Sequence, residues 1–228
     1  MKPDDPAPPL LWRLATYGFV LSLLAVVVLA VGLSLGWADP PRAGPLLWQD
    51  DFKAGTARWQ LLPPTVGRLA ARNGALLADF GSGAGETWAV AITAAPEGDY
   101  TLEAAGTAMG SGNAAAYGVV FGWQDATHYA AALVNGDGYA HVFQQAGDER
   151  REWFAWQQSP IILYGNETNR VRVDVGRSGV TVRINDEILV TRVPVPGLGK
   201  VGVTARSAEA GQVVFSWVRA WGQTPTGK

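Results

Sequence analysis

Closely spaced turn signals constrain the fold of this 228-residue chain more than any other feature of its sequence. From residue 46 onwards, clusters of glycine, asparagine and aspartate recur about every eight to twelve residues, and they include the hairpin turns Asn73-Gly74 and Asn185-Asp186. Hydrophobic side chains alternate between them, as in Val171, Val173 and Val175, and helical periodicity does not appear. This pattern predicts an all-β domain over residues 46–222, built as a sandwich or a barrel.

The composition argues against several classes of function. A net charge of -2 does not provide the basic surface that nucleic-acid binding requires. The absence of cysteine excludes disulfides and thiolate ligands, and two histidines offer little material for a zinc site. Hydrophobic residues make up 48% of the chain, and ten tryptophans are among them, so a large core can form. We therefore expect a folded domain with no nucleic-acid partner.

An uncharged, apolar run extends from Leu14 to Ala38. As a helix it measures about 37 Å, which exceeds the ~30 Å hydrocarbon core of a bilayer. We predict a transmembrane signal anchor over residues 14–38. The alternative is a signal peptide cleaved after the small-residue site Gly36-Trp37-Ala38, although the run is longer than such segments usually are. The remaining predicted segments are short: an N-terminal tail (1–13), a proline-rich linker (39–45) and a C-terminal tail (223–228).

The orientation of this span is predicted from the position of its flanking charges, because their number is the same on both sides. Lys2 and Arg13 precede the run, whereas Arg42 and Lys53 follow it, so the count is a tie. Arg13 directly abuts the apolar residues, which favours a cytoplasmic N-terminus. We expect a single-pass protein of the cell membrane, with its C-terminal domain on the outer, non-cytoplasmic side.

Three strands over residues 117–145 carry the most informative side chains. The segments 117–123, 128–134 and 139–145 alternate regularly, and four-residue loops separate them. If both loops close simple hairpins, Trp123 lies opposite His128, and Val134 lies opposite Tyr139. One face then carries Tyr117, Val119, Phe121, Trp123, His128, Tyr139, His141, Phe143 and Gln145, and the other carries Gly118, Val120, Gly122, Tyr129, Ala131, Leu133, Ala140 and Val142. We interpret the first face as a ligand surface and the second as core; the reverse assignment is the alternative.

This stretch resembles a known superfamily. The segment from Tyr117 to Asp125, followed by His128-Tyr129 and by Asn135-Gly-Asp-Gly-Tyr139, is similar to the concanavalin A-like lectin/glucanase domains. Laminin-G-like and family-16-glycosidase-like domains are the most similar groups, and a closing strand from Phe215 to Trp221 fits them too. The resemblance covers residues 46–222 and implies a two-sheet antiparallel jelly-roll sandwich. It does not settle function, because lectins, glycosidases and adhesive modules share this fold.

Catalytic and metal-binding signals are weak. The Glu-x-Asp-x-Glu run that family-16 enzymes place on one strand is missing. Glu149 and Glu152 lie in a charged segment that we interpret as a hairpin loop. Asn135 and Asp137 could bind calcium, but asparagine, aspartate and glycine are also usual turn residues. We therefore predict no resident cofactor, with calcium as the alternative.

Carbohydrate binding is the function that the sequence favours. Sugars stack on aromatic rings and need a few convergent polar groups. We predict that Trp123 acts together with His128 and His141. The further candidates comprise stacking residues (Trp88, Tyr139, Trp153, Trp156) and hydrogen-bonding residues (Asn135, Asp137, Gln145). The expected partners are a polysaccharide or glycan and the membrane itself.

Two other functions stay open at this point. Gly32 and Gly36 form a G-x-x-x-G pattern that permits close helix packing, so the chain could be a structural or accessory subunit of a larger membrane protein complex. A sugar hydrolase of the family-16-like type is the second alternative.

Overall fold

The computed structural model describes residues 10–34, 44–64, 67–81, 85–92, 95–110, 115–194, 197 and 199–222. The chain divides into two compact units, residues 1–42 and residues 43–228. Most of the predicted tail 1–13 and linker 39–45, the end of the apolar run at residues 35–38, and the whole C-terminal tail 223–228 lie outside the described residues.

The first unit contains one long helix, α1 (Leu10–Ser34). It begins four residues before the predicted span, and its segment Leu14–Val31 is long and apolar enough to cross a membrane. The hydroxyl groups of Thr16 and Ser22 donate to main-chain carbonyl groups one turn earlier, at 2.8 and 2.9 Å. These polar side chains are therefore satisfied within the helix, as an apolar surrounding would require.

The described part of the second unit contains fifteen strands. In chain order they are β1 (Leu46–Asp50), β2 (Trp59–Leu62), β3 (Arg68–Arg72), β4 (Ala75–Asp79), β5 (Gly85–Ala91), β6 (Tyr100–Met109), β7 (Ala116–Asp125), β8 (His128–Asn135), β9 (Tyr139–Ala146), β10 (Glu149–Gln158), β11 (Asn169–Gly176), β12 (Gly179–Ile184), β13 (Glu187–Val193), β14 (Lys200–Ser207) and β15 (Gln212–Gly222).

These strands form two antiparallel sheets. The eight-stranded sheet has the order β13-β12-β11-β6-β15-β4-β3, and β1 pairs with β15. The seven-stranded sheet has the order β10-β9-β8-β7-β14-β5-β2. The predicted all-β fold, a two-sheet jelly-roll sandwich with one helix before it in the chain, is confirmed.

Tight turns fix the register of the eight-stranded sheet as the sequence predicted. Asn73 and Gly74 join β3 to β4 with φ values of +53° and +73°. Asn185 and Asp186, at +51° and +74°, join β12 to β13. Two consecutive positive φ angles match the type I′ hairpin, whose twist agrees with that of the flanking strands.

The core lies between the two sheets. The eight-stranded sheet contributes the alternating valines that the sequence predicted, from Val171 to Val175 on β11. The seven-stranded sheet contributes Tyr117, Val119, Phe121, Ala130, Ala132, Val134, Ala140 and Val142. Each residue of this second set is buried almost completely, so the ring-bearing positions 117 and 121 are core and not ligand surface.

The predicted pairing of Trp123 with His128 is wrong, and the reason is a bulge. His128 pairs with Asp125, not with Trp123, and the register shifts between Phe121 and Asp125. Gly122 lies in this shift with a φ of +59°, a conformation that glycine adopts without strain. As a result Trp123 points away from the core that Phe121 enters. The next hairpin also differs, because Val134 pairs with Ala140 and not with Tyr139.

A buried asparagine ties the two sheets together. Asn169, at the start of β11, is fully buried. Its Oδ1 accepts from the main-chain N–H of Leu163 and from Nδ2 of Asn185, both at 2.8 Å. Its Nδ2 donates to the carbonyl of Leu163 at 3.0 Å and to the hydroxyl of Tyr117, on β7 of the other sheet, at 3.1 Å. Every hydrogen-bonding capacity of the amide is therefore used.

Replacing this amide tests its role. We expect Asn169→Leu to lower the free energy of unfolding by about 3 kcal/mol, because several buried donors and acceptors lose their partner. Tyr117→Phe removes a single bond and should cost about 1 kcal/mol. Urea unfolding followed by tryptophan fluorescence measures both values, and equal losses for the two variants would contradict a hub role for Asn169.

Candidate functional site

The outer face of the seven-stranded sheet carries a second cluster of apolar side chains, separate from the inter-sheet core. We call it the outer-face cluster; it contains Val90, Ala116, Val120, Trp123, Tyr129, Ala131, Leu133 and Phe143, with Leu62 and Trp88 packed against it. Gly118 and Gly202 interrupt it, and a Cβ atom at either would lie about 2 Å from a neighbouring carbonyl oxygen (1.9 and 2.1 Å). These positions must stay without side chains, which leaves space for long neighbours to lie across the sheet.

Tyr129 lies at the centre of this cluster. Its ring makes edge contacts with Trp88 and Phe143, with ring centroids 6.0 and 5.8 Å away. Its hydroxyl donates to Oε1 of Glu86 on β5 at 3.1 Å. Burial raises the pKa of Glu86, and the Tyr129 hydrogen bond and the nearby Arg206 charge partly oppose this shift. A carboxyl group thus lies within an otherwise aromatic surface.

A second polar group centres on His141 of β9. Nη2 of Arg206 donates to Nδ1 of His141 at 2.9 Å, and Nε2 of His141 lies 2.9 Å from Oε1 of Glu152. Since the guanidinium can only donate, these contacts assign the proton of a neutral imidazole to Nε2. Burial, together with the positive charge of Arg206, lowers the pKa of His141 to about 4, against the opposing effect of Glu152.

Arg206 of β14 is held by aromatic rings and by this imidazole. Its guanidinium carbon lies 5.4 Å from the ring centroid of Phe143 and 5.3 Å from that of Trp156. Burial lowers its pKa, but a guanidinium stays protonated at neutral pH. Among the described residues, none places a carboxylate oxygen within 4.0 Å of this guanidinium.

An open cleft lies beside these groups. It has a volume of about 490 Å³ and is lined by Gly85, Glu86, Ala116, Asn135, Trp156, Arg206, Ser207 and Ala208. The ring of Trp156 stacks on His141 with centroids 5.0 Å apart, and 38% of the residue is exposed. Tyr139 is 40% exposed and, two residues before His141 on β9, belongs to the same face. The cleft thus combines an exposed aromatic ring with a carboxyl group and a guanidinium.

The three residues on which the sequence prediction centred do not form an exposed group. Trp123 and His141 reach the outer face, but only 7% and 1% of them is exposed. His128 is exposed at the β7–β8 turn, where its Nδ1 contacts Asp125 at 3.0 Å. It neighbours Tyr129 in the strand, so alternation directs it to the opposite face. The prediction that the three share one ligand surface is wrong, because the Gly122 bulge moves Trp123 relative to His128.

The other predicted residues have varied positions. Trp88 lies in the outer-face cluster, whereas Trp153 packs against the inter-sheet core. Gln145 donates to the carbonyl of Gly147 at 2.7 Å and accepts from Arg150 at 2.9 Å. Oδ1 of Asn135 accepts from the N–H groups of Asp137 and Tyr139, which closes the hairpin turn. In the described part of the chain, no three acidic or histidine side chains converge on a position that would hold a metal ion.

Sequence reasoning missed Glu86, Glu152 and Arg206. Glu152 was assigned to a hairpin loop, but residues 149–158 form strand β10, and the turn is confined to the residues before it. Arg206 lies on β14, which ends at Ser207. The sequence signal that indicates Arg206 is the alternation of side chains along β14, which places Arg206 on the same face as Thr204. The two carboxylates lie on β5 and β10, with four strands between them in the order of the seven-stranded sheet.

The burial of His141 has a consequence for pH. We expect its imidazole to titrate near pH 4 in the folded protein, against an ordinary value of 6.5. Because the folded pKa is the lower one, the stability contributed by neutral His141 is complete above about pH 6.5 and decreases as the pH falls towards 4. NMR of the imidazole signals measures this directly, and His128→Gln leaves a single histidine to follow. A midpoint near 6.5 would contradict the burial of His141.

Comparisons with known proteins agree with this fold. No protein-family model matches the sequence, and no curated protein matches it. Solved structures do resemble it. The carbohydrate-binding module CBM66 from Bacillus subtilis aligns with a TM-score of 0.57 at 15% identity, covering 73% of this chain and 96% of that one. A protein of unknown function with a galectin-like fold from Bacillus subtilis gives 0.58 at 11%, covering 79% and 97%. The catalytic domain of an endo-1,3-beta-glucanase from Thermotoga petrophila RKU-1 gives 0.57 at 7%, covering 79% and 98%. The β domain therefore has the concanavalin A-like jelly-roll fold.

Proposed function

We propose that this protein is a membrane-anchored carbohydrate-binding module, whose β domain binds a glycan in the cleft beside Trp156. The observation that carries this proposal is the exposed Trp156 ring, which lies at the wall of a cleft with polar groups. The similarity in fold to a carbohydrate-binding module and to a glucanase domain supports it. We propose binding without hydrolysis, since the sequence lacks the Glu-x-Asp-x-Glu run that family-16 enzymes place on one strand.

The cleft has the features that sugar recognition needs. A pyranose ring presents a flat C–H face that packs on an indole, while its hydroxyl groups require directed polar partners. Stacking on His141 holds the Trp156 ring in place, so little conformational entropy is lost when a sugar covers it. Glu86 can accept hydrogen bonds and Arg206 can donate them along the same wall. A volume of about 490 Å³ suits one or two sugar units of a longer chain.

Trp123 has a different role in this proposal. Its buried ring belongs to the outer-face cluster, where Trp123 pairs with Lys200 at the opposite end of β7 from the cleft residue Ala116. The sequence predicts a contact between Trp123 and the sugar. The proposal instead assigns that contact to Trp156, with Tyr139 as a second exposed ring nearby.

Substitution of the exposed tryptophan tests glycan binding. We expect Trp156→Ala to weaken glycan retention by about tenfold or more, because a stacked aromatic ring contributes on the order of 1–2 kcal/mol. The matched control is Trp217→Ala, the same change at a partly exposed tryptophan of β15 in the other sheet. The full chain in lipid nanodiscs avoids detergents with sugar headgroups, and a glycan array with biolayer interferometry provides the readout. Wild-type protein that retains no glycan, or equal affinities for Trp156→Ala and wild type, would overturn the proposal.

We further propose that α1 anchors the protein and that the β domain lies outside the cytoplasm. In this arrangement residues 14–38 span the bilayer, 39–45 link them to the domain at 46–222, and short tails flank both ends. The apolar segment Leu14–Val31 and the satisfied hydroxyls of α1 support the span. Its leucine and valine side chains each favour insertion by roughly 0.3–0.6 kcal/mol near the bilayer centre.

Fractionation of cells that express the full chain tests the anchor. We expect the protein to stay in the membrane pellet after an alkaline carbonate wash and to keep its N-terminal residues. External protease should digest the β domain in spheroplasts, which lack an outer barrier. A mature N-terminus at Asp39 would show cleavage after Ala38 and refute anchoring, whereas full protection from protease would refute the orientation.

A further inference from the structure

We infer that the glycan bound in this cleft is acidic, and that a carboxylate or sulfate group of the sugar pairs with Arg206. This inference rests on the proposed carbohydrate-binding function and adds the chemical class of the ligand. It begins from an imbalance in the cleft: the guanidinium is partly buried, yet no carboxylate among the described residues lies within 4.0 Å of it. A partly desolvated cation without an anionic partner is costly to hold, and an anionic ligand compensates that cost.

The neighbours of Arg206 hold the guanidinium in place without neutralising it. Phe143 and Trp156 contact it through their ring faces, and a neutral His141 accepts one of its N–H groups. The guanidinium carries five N–H donors, and its planar geometry matches a carboxylate or sulfate with two parallel hydrogen bonds. Among the described residues, the guanidinium donates one side-chain hydrogen bond, from Nη2 to His141, so other donors remain for a ligand.

Both nearby carboxylates are engaged elsewhere. Oε1 of Glu152 contacts Nε2 of His141, so the imidazole ring separates this carboxylate from Arg206. Oε1 of Glu86 accepts the hydroxyl of Tyr129. Neither carboxylate forms a contact ion pair with Arg206, although the charge of Glu86 favours the charged guanidinium from a longer distance, and the guanidinium lies beside the exposed ring of Trp156. An acidic sugar can therefore stack on Trp156 while its anionic group reaches Arg206.

Pairs of polysaccharides that differ only in charge test this inference. The probes are polygalacturonate, alginate and hyaluronan, each beside its methyl ester, and dextran sulfate beside dextran. We expect the full wild-type chain in nanodiscs to bind the charged member of at least one pair about tenfold more tightly or better, with the preference reduced by added salt. The carboxylated and sulfated pairs distinguish the two sources of the anion. Because this comparison uses the wild-type protein, its outcome does not depend on whether a variant folds.

Variants then assign the preference to Arg206. Arg206→Gln should remove the preference for the charged member, and Arg206→Lys should retain part of it. The control is Arg72→Gln, the same change at an exposed arginine of β3 in the other sheet, which should leave the preference unchanged.

The possible outcomes separate the two proposals. Equal binding of charged and uncharged members, or a preference for the uncharged one, overturns the acidic-ligand inference and leaves glycan binding standing. A folded Arg206→Gln variant that keeps the preference refutes the role of Arg206. No retention of any glycan, charged or uncharged, overturns the proposed function together with this inference.

Discussion

The four hydrogen bonds of the buried Asn169 amide fix how the two sheets meet. They join the start of β11, the segment around Leu163 that crosses from one sheet to the other, and Tyr117 on the opposite sheet. A sandwich held by apolar contacts alone allows its sheets to slide, because such contacts have little directionality. A fully satisfied buried amide fixes one alignment, since any shift would leave polar groups unpaired in the core. Through Tyr117, this alignment extends to β7 and to the outer face that β7 helps to form.

The outer face shows how a sheet can carry both a packed cluster and an open cleft. Gly118 and Gly202 leave no side chain above the centre of the sheet, so aromatic and charged side chains from the surrounding strands extend over it. Most of this space is filled by the protein itself, as the burial of Trp123, Tyr129 and His141 shows. The cleft beside Trp156 lies at one part of this face. Its walls are therefore supported by packed neighbours, which is the arrangement that keeps a binding site preorganised.

Electrostatics in this region depend on burial. A neutral His141 links Arg206 to Glu152, and the same burial that lowers the pKa of His141 raises that of Glu86. These groups arrive from β5, β9, β10 and β14, so their meeting is a property of the assembled sheet. The network leaves the guanidinium charged and held against two rings, which is the chemical basis of the acidic-ligand inference.

Local sequence signals determined the architecture of this protein. Local signals identified hairpins and the core face of β11: the asparagine-containing turns at 73–74 and 185–186, and the alternating valines of β11. Such signals suffice because turn chemistry and side-chain alternation act over a few residues. The uncharged run likewise predicted a helix, although its start differs by four residues. The tertiary structure decided which residues make the cleft. The bulge at Gly122 places Trp123 on the sheet face opposite to that of Phe121. Packing on that outer face then buries both Trp123 and His141. Glu86, Trp156 and Arg206 come together only when distant strands pair, and no local pattern encodes such long-range pairing.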